Sequence, residues 1–232
     1  LVFAGGVCTV NPEPLADFID FFSIGEGEEM TPEILALYRT AKHEGWTKPR
    51  FLREVCKIDG VYVPSLYRHT YHPDGTLAAI EPLDGAPARV QKRIIADMDR
   101  SYWPPHEIVP STEIVHDRSN LEIFRGCIRG CRFCQAGFCY RPVREKRADT
   151  LYRQAVSELE DSGHSEITLA SLSTSDYTQL AQLAEPLLDY CQPRKISLSL
   201  PSLRADNFSR ELMLKVQKVK KTGLTFAPEA GT

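Results

Sequence analysis

From residue 120 onward, short apolar runs alternate with longer amphipathic stretches, and no other feature constrains the fold as tightly. The runs are NLEIF (120–124), EITLAS (166–171), KISLSL (195–200) and GLTFAP (223–228). Between them apolar residues recur at helical spacing, which predicts helices over about 148–162, 176–190 and 206–221. Strands alternating with helices of about ten or more residues build βα units around a parallel sheet. Four such strands are too few to close an eight-unit barrel. The pattern therefore predicts an α/β fold containing the first half of a βα (partial TIM) barrel. An open doubly wound sheet is the other architecture this alternation allows.

The residues before 120 read as the tail of a separate α/β unit. LVFAGG (1–6) is a strand ending in a Gly pair, and IDFFSIG (19–25) is a second strand. NPEPLADF places Asn11 as an N-cap before Pro12, a conventional helix start. EGEEMTPEILALYRTAKHEG predicts a helix with Ile34, Leu35, Leu37, Tyr38 and Ala41 as its apolar face and Gly45 as its stop. A shorter helix near 48–56 and an extended piece, GVYVPSLY, follow. YHPDGTLAAIEPL carries the Asp-Gly signal of a β-hairpin. Pro73, Pro82, Pro87, Pro104, Pro105 and Pro110 mark residues 69–118 as a connector over a surface, leaving 119–232 as the barrel half. The chain opens on a strand pattern without an initiator Met and stops just past another, so it reads as an internal fragment.

A net charge of −3 argues against a generic nucleic-acid binder. The charge is uneven, however: residues 125–147 hold seven basic side chains against one acidic, Glu145. Such a patch suits a bound anion, an anionic cofactor or a docked substrate; a solvated basic loop is the plainer reading. The same stretch, RGCIRGCRFCQAGFCYRPVREKR, holds four of the seven cysteines. An odd total of seven cysteines, and the clustering of four of them, do not suit a secreted disulfide scaffold and point to metal or redox chemistry in a reducing compartment. No apolar run approaches the roughly 18 residues of a membrane span, and the chain reads as cytoplasmic.

Cys127, Cys131 and Cys134 form a C-x3-C-x2-C pattern directly after the first barrel strand, where a βα barrel places its active site. Gly126 and Gly130 allow close backbone approach and positive φ. A closed zinc site wants four ligands, and an electron-transfer cluster likewise uses four cysteines. Three thiolates around a four-iron cube leave one iron open. A zinc knuckle with Cys139 as fourth ligand and a plain electron-transfer cluster are the alternatives. Cys8, Cys56 and Cys191 sit in or near apolar segments and read as core residues.

With Phe133 as the aromatic of C-x3-C-x-aromatic-C, this loop resembles that of the radical S-adenosylmethionine (SAM) superfamily. The resemblance implies that Cys127, Cys131 and Cys134 hold a [4Fe–4S] cluster whose fourth iron SAM chelates. It implies reductive cleavage of the sulfonium C–S bond, a 5′-deoxyadenosyl radical that abstracts hydrogen from a substrate, and an external reductant of flavodoxin or ferredoxin type. The protein's part is to hold and shield the reacting centres. In such proteins the ends of strands two to four contact the amino group, ribose and carboxylate of SAM. Here they offer Ser171, Ser173 and Asp176, where many relatives carry a Gly-Gly-Glu turn that this sequence lacks. They also offer Ser199 and Arg204, the latter suited to a bidentate carboxylate grip or to a surface role. Glu229 suits ribose hydroxyls, or a helix N-terminus.

FAGGVCTVNPEPL and DFFSIGEGEE resemble the last third of the Rossmann-like, cobalamin-binding-type domain that precedes the barrel in one branch of that superfamily. Gly5 and Gly6 match a Gly pair lining the pocket for the cofactor's nucleotide tail, and Gly25–Glu26–Gly27–Glu28 match the turn after its last strand. A simple βα turn at Gly5–Gly6 is the alternative. On this resemblance residues 1–68 are the C-terminal part of such a domain. The branch admits cobalamin, and no residue here requires it. The run VHDRSNLEIFRGCIRGCRFCQAGFCYRPVREK is similar to an uncharacterised group of the branch, with methylthiotransferases more distant. RPVREKR reads as an RNA-docking edge, a solvated loop or a lid, with Tyr140 the one aromatic beside it.

Overall fold

Phe21, Phe22 and Ser23 are all buried, the mark of a strand covered on both faces. They form β2 (Phe21–Ser23), which runs parallel to β1 (Phe3–Ala4) and antiparallel to β3 (Val61–Tyr62). The structure is a computed structural model that describes residues 1–207 and 210–220, and the backbone of 226–227. The chain divides into two units, Leu1–Ala96 and Asp97–Thr232.

In the first unit, helices α1 (Gly27–His43) and α2 (Lys48–Val55) supply Met30, Ile34, Ala41, Phe51, Leu52 and Val55 to a core shared with Phe21, Val61 and Val63. Each large apolar side chain so buried contributes about 1.5–3 kcal/mol. Thr47 caps α2 by accepting the Arg50 amide at 3.4 Å. The predicted face of α1 is corrected in part. Leu35 and Tyr38 are exposed, because the buried stripe begins a turn earlier, at Met30. The predicted helix at Asn11 is a single 3-10 turn, Glu13–Leu15, with Pro12 at its cap and no side-chain cap bond. Pro12 and Pro14 lack the amide donors that a longer helix would use. Cys8 is also corrected: it is exposed on a 3-10 turn, Val7–Val10, whose one buried residue is Thr9. Cys56 and Cys191 are buried, as expected.

The hairpin forms as predicted, β4 (Tyr67–Tyr71) pairing antiparallel with β5 (Leu77–Pro82). Asp74 accepts the Thr76 amide at 3.0 Å and Gly75 takes φ 83°. The Gly25–Glu28 turn has a structural role that the sequence did not announce. Gly25 sits at φ 119°, and a Cβ there would lie 2.1 Å from the Arg93 carbonyl oxygen. Arg93 joins both sides of this turn through its backbone, donating to the Ile24 carbonyl and accepting from the Glu26 amide, each at 3.0 Å. The Glu26 carboxylate accepts the Ile95 amide at 2.5 Å. Glu29 and Glu33 hold the Arg93 guanidinium at 3.0 and 2.8 Å.

The second unit contains β6 (Ser119–Glu122), β7 (Phe124–Arg125), α3 (Ala136–Cys139), β8 (Arg144–Glu145), α4 (Ala148–Ser162), β9 (Glu166–Ala170), α5 (Leu180–Cys191), β10 (Ser197–Ser199), β11 (Leu203–Arg204), α6 (Arg210–Val216) and β12 (Phe226–Ala227). Three of these strands form a parallel sheet in the order β10-β9-β6. Leu151, Ala155 and Leu159 of α4 and Leu183, Leu187 and Leu188 of α5 close over Ile167, Leu169 and Leu198. The helix predicted near 176 starts only at Leu180, because Thr174–Asp176 forms a 3-10 turn. β12 pairs in parallel with β11, Leu203 opposite Phe226. The unit is thus mixed α/β with a parallel sheet. Glu229 lies outside the described residues.

Candidate functional site

Because β6, β9 and β10 are parallel, their C-terminal ends share one edge of the sheet. The cysteine segment leaves from this edge and returns to it. β7 pairs antiparallel with β8, Phe124 opposite Glu145 and Arg125 opposite Arg144, so residues 126–143 depart and come back through one two-rung neck. Gly126 begins the excursion at φ 91°, where a Cβ would lie 2.9 Å from the carbonyl oxygens of both Tyr140 and Pro142. Only glycine fits there without strain. Gly130 needs no such freedom: its φ is not positive and the space around it is open.

Cys127, Cys131, Cys134 and Cys139 are half-buried and in no disulfide. Cys131 and Cys134 share one turn, the Cys134 amide donating to the Cys131 carbonyl at 3.0 Å, and α3 follows at once. Among the described residues, no three His, Cys, Asp or Glu side chains converge where one metal ion could sit. A single tetrahedral zinc, with Zn–S near 2.3 Å, would require sulfurs about 3.8 Å apart. Neither Cys139 with two of the other cysteines nor Cys127, Cys131 and Cys134 among themselves meet that convergence. In kind and number, three accessible thiols on one tethered excursion fit an iron–sulfur group held by thiolates. Phe133 is 76% exposed, and Ile128 and Phe138 of the same excursion are exposed as well.

Several basic side chains of residues 125–147 are held by partners in the same unit. Arg125 pairs with Glu122 at 2.8 Å, and Arg147 with Asp99 at 2.8 Å. Lys146 is buried with its Nζ 3.3 Å from Gln154 Oε1, and burial pushes its ammonium below the usual lysine range. The strongest link is Arg129, whose Nε donates to Asp176 Oδ2 at 2.9 Å while its Nη2 donates to Oδ1. This contact holds the Asp176 carboxyl down at about 2 and raises the guanidinium further.

The sequence candidates fall around this link. Ser173 is buried and donates to Asp176 Oδ2 at 2.7 Å. Ser171, half-buried, lies 3.1 Å from the Thr174 hydroxyl. Ser199 ends β10, half-buried, at the same sheet edge. Arg204 donates to Asp206 at 2.9 and 3.1 Å, and Asp206 also meets Arg129 at 3.5 Å. Sequence reading missed the Arg129–Asp176 pair. No local signature joins residues so far apart in the chain.

Residues 1–64 match the family model described as radical SAM proteins, N-terminal. The chain is 29% identical over 231 residues to an uncharacterized protein of Methanocaldococcus jannaschii, covering 99% of this chain and 43% of that protein. The chain thus spans less than half the length of this curated relative. Among solved structures it is similar to the radical S-adenosylmethionine methyltransferase TsrM from Kitasatospora setae, determined with its tryptophan substrate and the SAM analogue aza-SAM. The TM-score is 0.47 and the identity 14%, over 97% of this chain and 45% of that one.

Proposed function

We infer that this chain, whose residues 1–64 match the N-terminal model of radical SAM proteins, is part of a radical SAM enzyme cleaving SAM reductively at a [4Fe–4S] cluster. The observation that carries this reading is the C-x3-C-x2-C excursion, which leaves the C-terminal edge of a parallel sheet through a fixed neck. Cys127, Cys131 and Cys134 would hold the cluster, which when bound supplies the electron for breaking the sulfonium C–S bond and yielding the 5′-deoxyadenosyl radical. Gly126 keeps the thiols at the sheet edge. Ser171 and Ser199 offer hydroxyls there, Phe133 offers an open ring, and Arg204, paired with Asp206, is assigned to a ligand carboxylate on sequence position. Ser173 is assigned to shaping its turn through Asp176, and Glu229 to the ribose on sequence position.

By the same reading, residues 1–68 end a cobalamin-binding-type domain, 69–118 connect, and 119–232 begin the barrel. A flavodoxin- or ferredoxin-type reductant supplies the electron, and RNA is one substrate class that the basic edge admits. Among the described residues no helix is long and apolar enough to cross a membrane. Anaerobic reconstitution of the full-length protein with iron and sulfide is expected to give a brown protein with about four irons. Reduction with SAM is expected to yield 5′-deoxyadenosine and methionine. Cys134→Ala should lose the iron and Cys139→Ala should keep it. The reverse pattern, or a colourless protein with one zinc, would refute the reading.

A further inference from the structure

We propose that Arg129 is a positioning residue, clamped by Asp176, that fixes the cysteine excursion against the turn after β9 and sets the charge beside its thiols. The electrostatic half of this proposal rests on the iron–sulfur reading above; the mechanical half does not. The pair joins two segments with no other sequence relation, and it does so in the fork geometry that gives Arg–carboxylate contacts their strength. Asp176 is 5% exposed and Arg129 30% exposed, so solvent screens the pair little. Ser173 supplies a further bond to Asp176 at 2.7 Å.

Arg129 also reaches outward on its other sides. Its Nη1 meets Asp206, the residue that holds Arg204, and its carbonyl oxygen accepts from Arg141 Nη2 at 3.3 Å on the returning limb of the excursion. One residue thus ties these segments together: its side chain holds the turn after β9 and the segment after β11, and its main-chain carbonyl holds the returning limb of the excursion. In sequence it lies two residues from Cys127 and two from Cys131, so its anchoring restrains both. Both Asp176 oxygens are engaged. Asp176 therefore serves the clamp instead of standing open as a carboxylate for an incoming amino group.

A clamp that also sets charge makes a prediction that a purely mechanical one does not. Arg129→Gln removes a positive charge and leaves Asp176 negative, disfavouring added electrons. Asp176→Asn removes the negative charge and leaves Arg129 positive, favouring them. In the full-length reconstituted protein, the cluster's midpoint potential, followed by EPR, should fall in Arg129→Gln and rise in Asp176→Asn. In the metal-free protein, chymotryptic cleavage after Phe133 and Phe138 should run on the order of tenfold faster in both variants, because local opening becomes easier. Arg129→Lys, which keeps charge without the fork, should speed cleavage while leaving the potential near that of the parent, and guards against variants that fail to fold. Unchanged cleavage rates overturn the clamp. Potentials that move in the same direction overturn its electrostatic role. Failure of the parent protein to take up iron sinks the iron–sulfur reading and leaves the cleavage rates to decide the clamp.

Discussion

Each unit places a positive-φ glycine within two residues of a strand's end, and each seats a distant stretch of backbone where a side chain would stand. At Gly25 the guest is the Arg93 segment, and the turn is filled: backbone bonds on both sides, the Glu26 carboxylate on Ile95, two glutamates on the Arg93 side chain. At Gly126 the guests are Tyr140, Pro142 and Val143, and the device does the opposite. It pins only the base of an excursion whose thiols and aromatic rings stay accessible. The same backbone chemistry closes one site and holds another open. What differs is whether the neighbouring carboxylates fix the guest segment, through both an amide and a guanidinium, or, as at Asp176, a guanidinium carried by the loop itself.

The sharpest way to break this comparison is to give both glycines a methyl group. Gly25→Ala faces backbone atoms at 2.1 and 2.7 Å and should cost more than about 3 kcal/mol, since the strained φ adds to a clash that cannot relax. Urea denaturation of the first unit would show it. Gly126→Ala meets carbonyls at 2.9 Å and should cost about 2–3 kcal/mol, read as a lower urea midpoint for the second unit. A larger loss at Gly126 than at Gly25 would overturn the distinction between a filled turn and a pinned neck.

Smaller effects sharpen it. Asp176→Asn should cost about 1–2 kcal/mol near neutral pH, as one buried carboxylate stops matching its guanidinium. The folded Asp176 carboxyl titrates at about 2, below the ordinary value near 3.9. Its contribution is therefore complete above about pH 4 and lost as pH falls from there towards 2. Acid unfolding curves of parent and variant should converge across that window; a gap that persists at its lower end assigns the stability elsewhere. Gly130→Ala should change stability by no more than about 0.5 kcal/mol, because nothing stands near its Cβ position. A loss comparable to that at Gly126 would mean that the whole excursion, and not its neck alone, is tightly packed.

What could be read from the sequence was what local periodicity encodes. Helix α4 falls on its predicted span, 148–162, because Leu151, Ala155 and Leu159 mark one face. The Asp74-Gly75 turn announced its hairpin for the same local reason. Reading failed where prolines or distant partners decide. Pro12 and Pro14 hold Glu13–Leu15 to one 3-10 turn, and α5 starts late because Thr174–Asp176 forms its own turn. In the site, the cysteine loop and its strand were legible from spacing. The neck was not, because Phe124–Arg125 and Arg144–Glu145 are too short to signal a ladder. Nor was the clamp, since only folding brings Arg129 to Asp176.

The two-rung neck has a corollary for how such a segment can change. Both limbs of 126–143 spring from one rung, Arg125 opposite Arg144, so the ends are already spanned before any intervening residue is chosen. Exchange, lengthening or grafting of the span between Gly126 and Val143 as a cassette would leave the register of β6 against β9 untouched. New chemistry could be swapped in at that point without rebuilding the scaffold beneath it.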